Sequence, residues 1–294
     1  MKIQDIYVAT DLSEVSASAA RWAQNAKASF GAKVTVAHVV EVSVSNWFSS
    51  AMDTFEDHQR VEKAKDNIRT WYKDATGELP DYVDIRMGSP ASQLTEIVGD
   101  EGKKSMIVMA RSGKGSVSKF FLGSTVSRVA AMPPCPLVVV HPEHESLEAS
   151  KAIIVGTDFS PNGNAAVAAA AEFAKELGSP LHIVHANPTP PILVFDGADV
   201  PVESMQASAK LWSNAAMQDL MNKLSLSVGA NLSAEISGDL PAVALAEAVK
   251  SRSAGLMIVG HSGESELMQH VLGSTAQRCL TEMPCTLIIL PSNK

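Results

Sequence analysis

Short apolar runs alternate with longer amphipathic stretches along the 294-residue chain, and the whole alternation occurs twice. The apolar runs predict strands over Ile3–Thr10, Lys33–Val40, Tyr82–Met87, Ser105–Ala110 and Leu137–His141 in the first half. In the second half they predict Ala152–Thr157, Leu181–His185, Asn231–Ser237, Leu256–Gly260 and Thr286–Leu290. Four helices fit between the five strands each time, the pattern of βαβ units on a parallel sheet. Val, Ile and Leu crowd the first, fourth and fifth strands on both faces, as strands covered by helices on either side require. The expectation is an α/β chain of two tandem doubly wound five-stranded parallel sheets.

Helix boundaries are readable from end residues. Ser13 and Ser160 follow the first strands at N-cap positions, and Gly31 and Gly178 stop the first helices where a left-handed residue is wanted. The second helices, Asp53–Ala75 and Val202–Ser227, carry Trp71 and Trp212, read as packing residues. The segment from His141 to Ser150 is acidic and opens on a proline, so it reads as a tether. Its His141 and His144 read as solvated linker residues, because no third metal ligand stands nearby. The resulting domains are residues 1–143 and 144–294, each long enough to bury its own core.

A formal charge of -8 argues against duplex nucleic acid as a partner, since phosphate backbones need clustered Lys and Arg. The three cysteines, Cys135, Cys279 and Cys285, form no CxxC pair; Cys135 and Cys285 are repeat equivalents and read as small apolar filler. The N-terminus has no basic-then-apolar leader, and no apolar run approaches the ~18 residues that span a bilayer. The expectation is a cytoplasmic protein without a membrane partner.

The repeat carries chemistry after its fourth strand. Ile107-Val108-Met109-Ala110-Arg111-Ser112-Gly113 is followed, nine residues on, by Gly123-Ser124-Thr125. Met257-Ile258-Val259-Gly260-His261-Ser262-Gly263 is followed at the same spacing by Gly273-Ser274-Thr275. Gly113 and Gly123 can adopt positive φ and let main-chain amides approach an anion without a Cβ in the way. Ser124 and Thr125 would add hydroxyls at a helix N-terminus, which favours negative charge. Asp11 and Asp158 end the first strands, facing these loops where strand order reverses. Each can accept from a ribose hydroxyl or adenine amino group, or cap the following helix, and both roles stay open.

The strand-Asp-x-Ser start, the G-x2-G-x9-G-[ST] loop and the closing Pro134-Cys135-Pro136-Leu137-Val138-Val139-Val140 resemble the universal stress protein family, over both halves almost end to end. That resemblance implies a Rossmann-like sheet in the order 3-2-1-4-5 and binding of ATP, or of AMP or ADP, with magnesium as an accompanying ion. It places adenine and ribose contacts on Ala9, Asp11 and Val39, with Met109 beside the sugar, and phosphate contacts on Ala110, Gly113, Gly123, Ser124 and Thr125. The matching second-half positions are Gly156, Asp158, Ala186, Val259, Gly260, Gly263, Gly273, Ser274 and Thr275. It further implies pairing of the two halves through their fifth strands, or a homodimer.

The halves depart from that pattern differently. Ala110 replaces the loop's first glycine, adding one methyl, whereas the second loop contains Glu264 and Glu266 where the first has Lys114 and Lys119. Like charge would repel phosphate, so the first half is the favoured site. His38 and His185 are repeat equivalents near the pocket; His182 points to the opposite face from His185, and His261 and His270 lie on the second loop. Three classes of function remain: a regulatory nucleotide binder without a dedicated reaction, a weak ATP hydrolase, and a nucleotide-free interaction or dimerisation module. No Walker lysine, arginine finger or convincing general base supports the second.

Overall fold

The computed structural model describes residues 2–41, 54–99, 104–112, 122–188, 202–228, 231–262, 271–282 and 284–292. The first-half strands are β1 (Asp5–Thr10), β2 (Lys33–Val40), β3 (Tyr82–Met87), β4 (Ser105–Ala110) and β5 (Leu137–Val140). Between them lie α1 (Ala17–Phe30), α2 (Thr54–Thr76), α3 (Pro90–Glu96) and α4 (Ser124–Ala131). The second half repeats the series as β6 (Ile153–Thr157), α5 (Pro161–Leu177), β7 (Leu181–Ala186), α6 (Val202–Val228), β8 (Leu232–Ser237), α7 (Pro241–Ser251), β9 (Leu256–Gly260), α8 (Ser274–Glu282) and β10 (Thr286–Leu290).

Contacts divide the chain into two compact units. The first is Met1–Leu147 with His270–Leu272 and Cys285–Pro291; the second is Glu148–Gln269, Gly273–Pro284 and Ser292–Lys294. In the first unit the strand order is β3-β2-β1-β4-β5, all parallel, and β10 runs antiparallel beside β5 with Leu287 opposite Val139. In the second it is β8-β7-β6-β9, parallel throughout. Strand order reverses at β1 and again at β6, opening a crevice beyond the carboxyl ends of β1 and β4 and of β6 and β9.

Every residue of β4 and β5 is buried, as their unbroken apolar sequences require. On α1, Ala19, Ala20, Ala23 and Ala26 form a stripe of small side chains that lets the helix lie close to the sheet, and Trp22 fills the remaining space at 1% exposure. A fully buried side chain such as Ile6 contributes about 1.5–3 kcal/mol.

The first helices end as their glycines dictate. Gly31 and Gly178 are left-handed at φ 63° and 66°, and the Gly31 amide donates to Lys27 O at 2.9 Å. Their starts differ. Ser160 caps α5, its hydroxyl accepting from the Gly163 amide at 3.0 Å. Ser13 makes the equivalent bond, its hydroxyl accepting from the Ser16 amide at 3.2 Å, but α1 itself begins only at Ala17, with Ser16 at its N-cap. Pro161 presets φ for the first helical residue, whereas Glu14 stands there in the first half, and Glu14–Ser16 form a turn that the Ala17 amide closes onto Glu14 O at 3.2 Å.

The tether is not loose. Arg21 of α1 forks onto the Glu145 carboxylate, with Nη2 to Oε1 at 2.9 Å. Thr286 Oγ1 donates to His144 O at 2.6 Å and accepts from the His141 amide at 3.1 Å. The His141 and His144 rings stand 5.3 Å apart, half-buried rather than solvated. Burial, then His144, holds the His141 imidazole below the ordinary histidine range.

All three cysteines are buried, and burial pushes the thiols of Cys135 and Cys279 up to about 12. The thiolate is the reactive form. A maleimide reagent at pH 7 is therefore expected to label no cysteine of the native protein and three after denaturation; rapid native labelling would contradict this burial.

Candidate functional site

The end of β1 is built by a local turn that both halves share. Thr10 Oγ1 accepts from the Leu12 amide at 2.9 Å, and Asp11 Oδ1 accepts from the Ser13 amide at 3.0 Å and its hydroxyl at 2.5 Å. In the second half Thr157 accepts from the Phe159 amide at 3.0 Å, and Asp158 from Ser160 at 3.0 and 2.5 Å. These bonds hold Leu12 and Phe159, both non-glycine, at φ 62°. Such a conformation costs of order 1–3 kcal/mol and persists only where surrounding structure enforces it. Asp11 and Asp158 thus order the turn before their helices, while a carboxylate keeps further acceptor sites, about four in all.

His38, at the end of β2, reaches the same turn: Nδ1 donates to Thr10 O at 2.8 Å. A carbonyl only accepts, so Nδ1 carries the proton. His185 repeats the bond to Thr157 O at 2.9 Å, and its Nε2 meets Ser213 Oγ at 3.2 Å. Phe159 packs on the His185 ring at 4.3 Å, and the exposed Trp212 meets it edge-on at 5.4 Å.

A cavity of 760 Å³ opens in the first unit at the carboxyl ends of β1, β2 and β4, a size that suits a small-molecule ligand. Ala9, Asp11, Val39, Met109, Ala110, Gly123, Ser124 and Thr125 all line it. Gly113, Lys114 and Lys119 lie outside the described residues. The cavity also takes Thr10, Ser16, His38 and Ser112, and its side wall is Pro90 and Leu94 of α3. His38 was detectable from its repeat equivalence; nothing local in the sequence says that α3 closes this wall.

Gly123 does not use positive φ. It sits at φ -65° and ψ 142° as the N-cap of α4, its amide donating to Arg111 O at 2.9 Å. A Cβ here would make ordinary contact, 3.4 Å from that same oxygen, so the glycine's contribution is to keep a side chain out of the cavity beside the start of α4. The Arg111 side chain beneath is buried, which pulls its guanidinium below the usual range.

In the second unit, Gly156, Asp158, Ala186, Val259 and Gly260 stand at or just beyond the ends of β6, β7 and β9, and Gly273, Ser274 and Thr275 open α8. Gly263, Glu264, Glu266 and His270 lie outside the described residues. The Gly273 amide donates to His261 O at 2.8 Å, repeating the Gly123 contact. Two details differ. Leu245 of α7 fills the space over Gly156, where an added Cβ would meet it at 3.2 Å. Ser262 Oγ, equivalent to the cavity-lining Ser112, meets Ser292 Oγ at 2.8 Å and Asn162 Nδ2 at 3.4 Å, and Ser292 Oγ lies 3.4 Å from His261 Nδ1. Among the described residues no three His, Cys, Asp or Glu side chains form a metal cluster. No helix among them is long and apolar enough to cross a membrane.

A twice-repeated, mostly parallel α/β layer, with a turn-held aspartate facing a glycine-capped helix, defines a tandem Rossmann-like protein. The family model for the universal stress protein family matches residues 2–141 and again 149–291, and the chain belongs to that family. A universal stress protein of Mycobacterium tuberculosis is 26% identical over 289 residues, 95% of this chain and 94% of that protein. A universal stress protein from Archaeoglobus fulgidus shares the fold at a TM-score of 0.65 and 18% identity, covering 99% of this chain and 97% of its own. A universal stress protein solved in complex with cAMP is 20% identical, covers 50% of this chain and 98% of its own, and has a TM-score of 0.35.

Proposed function

We propose that the first half binds an adenine nucleotide, ATP or its AMP or ADP relatives, in a regulatory role that serves stress resistance without a dedicated catalytic reaction. The observation that carries this reading is the 760 Å³ cavity in which Asp11, Gly123, Ser124 and Thr125 converge from distant parts of the chain. Ala9, Val39 and Met109 offer apolar walls to a base and sugar, and Asp11 an acceptor for ribose hydroxyls. The N-terminus of α4, with Ser124 and Thr125, offers donors to phosphate without needing a lysine. Magnesium would ride on the phosphates, since it keeps several waters and needs few protein ligands.

A second reading applies to the second half, as a structural or interaction module. The bonds of Ser262 to Ser292 and Asn162 favour it, because they engage a hydroxyl whose first-half counterpart, Ser112, lines the cavity. We further propose functional domains of 1–143 and 144–294 that pair through β5 and β10, a homodimer as the alternative, and a cytoplasmic location. The antiparallel register of β10 on β5 supports the pairing.

Mass spectrometry of gently unfolded protein, purified without added ligand, is expected to detect an adenine nucleotide. Titration calorimetry of stripped protein with ATP and magnesium is expected to give about one equivalent per chain. Neither carried nucleotide nor binding heat would overturn the assignment.

A further inference from the structure

His182 lies near the start of β7, away from the mouth at the strands' carboxyl ends, and its side chain is 1% exposed. Nδ1 stands 2.8 Å from Ser233 Oγ and Nε2 3.2 Å from Glu235 Oε2, both on the outer strand β8. The Nδ1–Ser233 bond thus ties the ring to β8, while Nε2 is buried beside the Glu235 carboxylate and makes no hydrogen bond among the described residues. Two charges act on it: Glu235 from β8, and Arg252 at the C-cap of α7.

The first half has no such group. Counting back from His38 as from His185, Thr35 stands where His182 does, paired in register with Tyr82. Asp84, two residues further on, is bound to Arg86 at 3.0 Å. No histidine stands among these side chains.

We propose that the His182–Ser233–Glu235 cluster makes the β7–β8 edge of the second half an acid-released element, absent from the first half. A proton on the buried ring adds a charge beside Arg252, and the half-exposed Glu235 offsets it only in part. Burial first, and Arg252 second, hold the imidazole below its ordinary range against the pull of Glu235. The neutral ring is therefore the form the fold prefers. Its stabilisation is complete above the unfolded value of about 6.5 and is lost as pH falls through the folded value. An outer strand opens more readily than a central one, so β8 takes the strain. β7 also carries His185 and Ala186, so release of this edge would reach the mouth of the second half. The inference is independent of nucleotide binding in the first half.

Amide hydrogen exchange on the full chain at pH 7.5 and pH 5.0, expressed as protection factors, tests it. Protection of β8 is expected to fall by up to about tenfold per pH unit below about 6.5, the limit for one linked proton, while β3 stays level. Arg252→Gln should weaken the pH response and Glu235→Gln should strengthen it, because they remove charges of opposite sign. His182→Thr, the first-half residue, should abolish it. His141 also titrates low, but it lies in the first unit and strand-resolved exchange separates the two. Unchanged β8 protection across this range, or a shift in the same direction for both charge variants, would overturn the proposal.

Discussion

Gly123→Val is expected to weaken ATP binding at least tenfold, equivalent to about 1.4 kcal/mol, while leaving the fold intact. Its φ of -65° and ψ of 142° suit valine, so the backbone at this N-cap is not strained by the change. The added Cβ would sit 3.4 Å from Arg111 O and 3.6 Å from Ser112 Cα, ordinary van der Waals contacts. The two further methyls extend from a residue that lines the cavity, beside Ser124 and Thr125. They would occupy the approach to the α4 amides that a phosphate needs. Calorimetry with ATP and circular dichroism read the two effects apart. The equivalent Gly273→Val, where a Cβ would meet His261 O at 3.1 Å, should lower stability but spare ATP binding if the first half holds the nucleotide. Equal affinity in Gly123→Val and the parent protein would refute phosphate binding at α4.

Gly163→Ala should destabilise the second half by about 1–3 kcal/mol, the usual penalty of overpacking. A Cβ there would fall 2.4 Å from Asp158 Oδ1, 3.0 Å from Thr157 Oγ1 and 3.1 Å from the Asp158 amide. That carboxylate oxygen cannot swing aside cheaply, because it accepts both Ser160 groups. The first half tolerates Ser16 at the corresponding place because α1 starts later, and the Ser16 hydroxyl there bonds Thr10 Oγ1 at 2.9 Å. Differential scanning calorimetry should record a drop of several degrees for Gly163→Ala. An unchanged midpoint would mean that the turn is softer than its hydrogen bonds imply.

The extra turn before α1 marks where local reading failed. Ser13 and Ser160 look alike in sequence, each two residues after an aspartate, and each accepts from the amide three residues on, yet Ser160 caps an α-helix and Ser13 only the turn that leads into α1. Pro161 against Glu14 was the available signal, and it was outweighed by the match of Asp-x-Ser. Which of its two freedoms the glycine before α4 uses is also settled by the structure: Gly123 keeps negative φ, and what it contributes is the absence of a side chain beside the cavity. The positive-φ residues that do flank the sites, Leu12 and Phe159, have apolar side chains that carry no sign of that conformation. His141 and His144, expected in solvent, are half-buried instead, and Thr286, far away along the chain, holds the backbone of both.

By itself the sequence determined the elements and the duplication, and its family resemblance pointed to eight of the residues that line the first cavity. Lys33–Val40, Tyr82–Met87, Ser105–Ala110, Leu256–Gly260 and Thr286–Leu290 are strands to the residue, and Gly31 and Gly178 end their helices. Periodicity and capping are local, so a few neighbouring residues suffice to express them. Only the tertiary structure decided that β10 lies antiparallel on β5, that Pro90 and Leu94 wall the cavity, and that His182 is sealed between Ser233 and Glu235. Each of these joins residues distant along the chain, and that depends on how strands cross and helices pack rather than on any period the sequence carries.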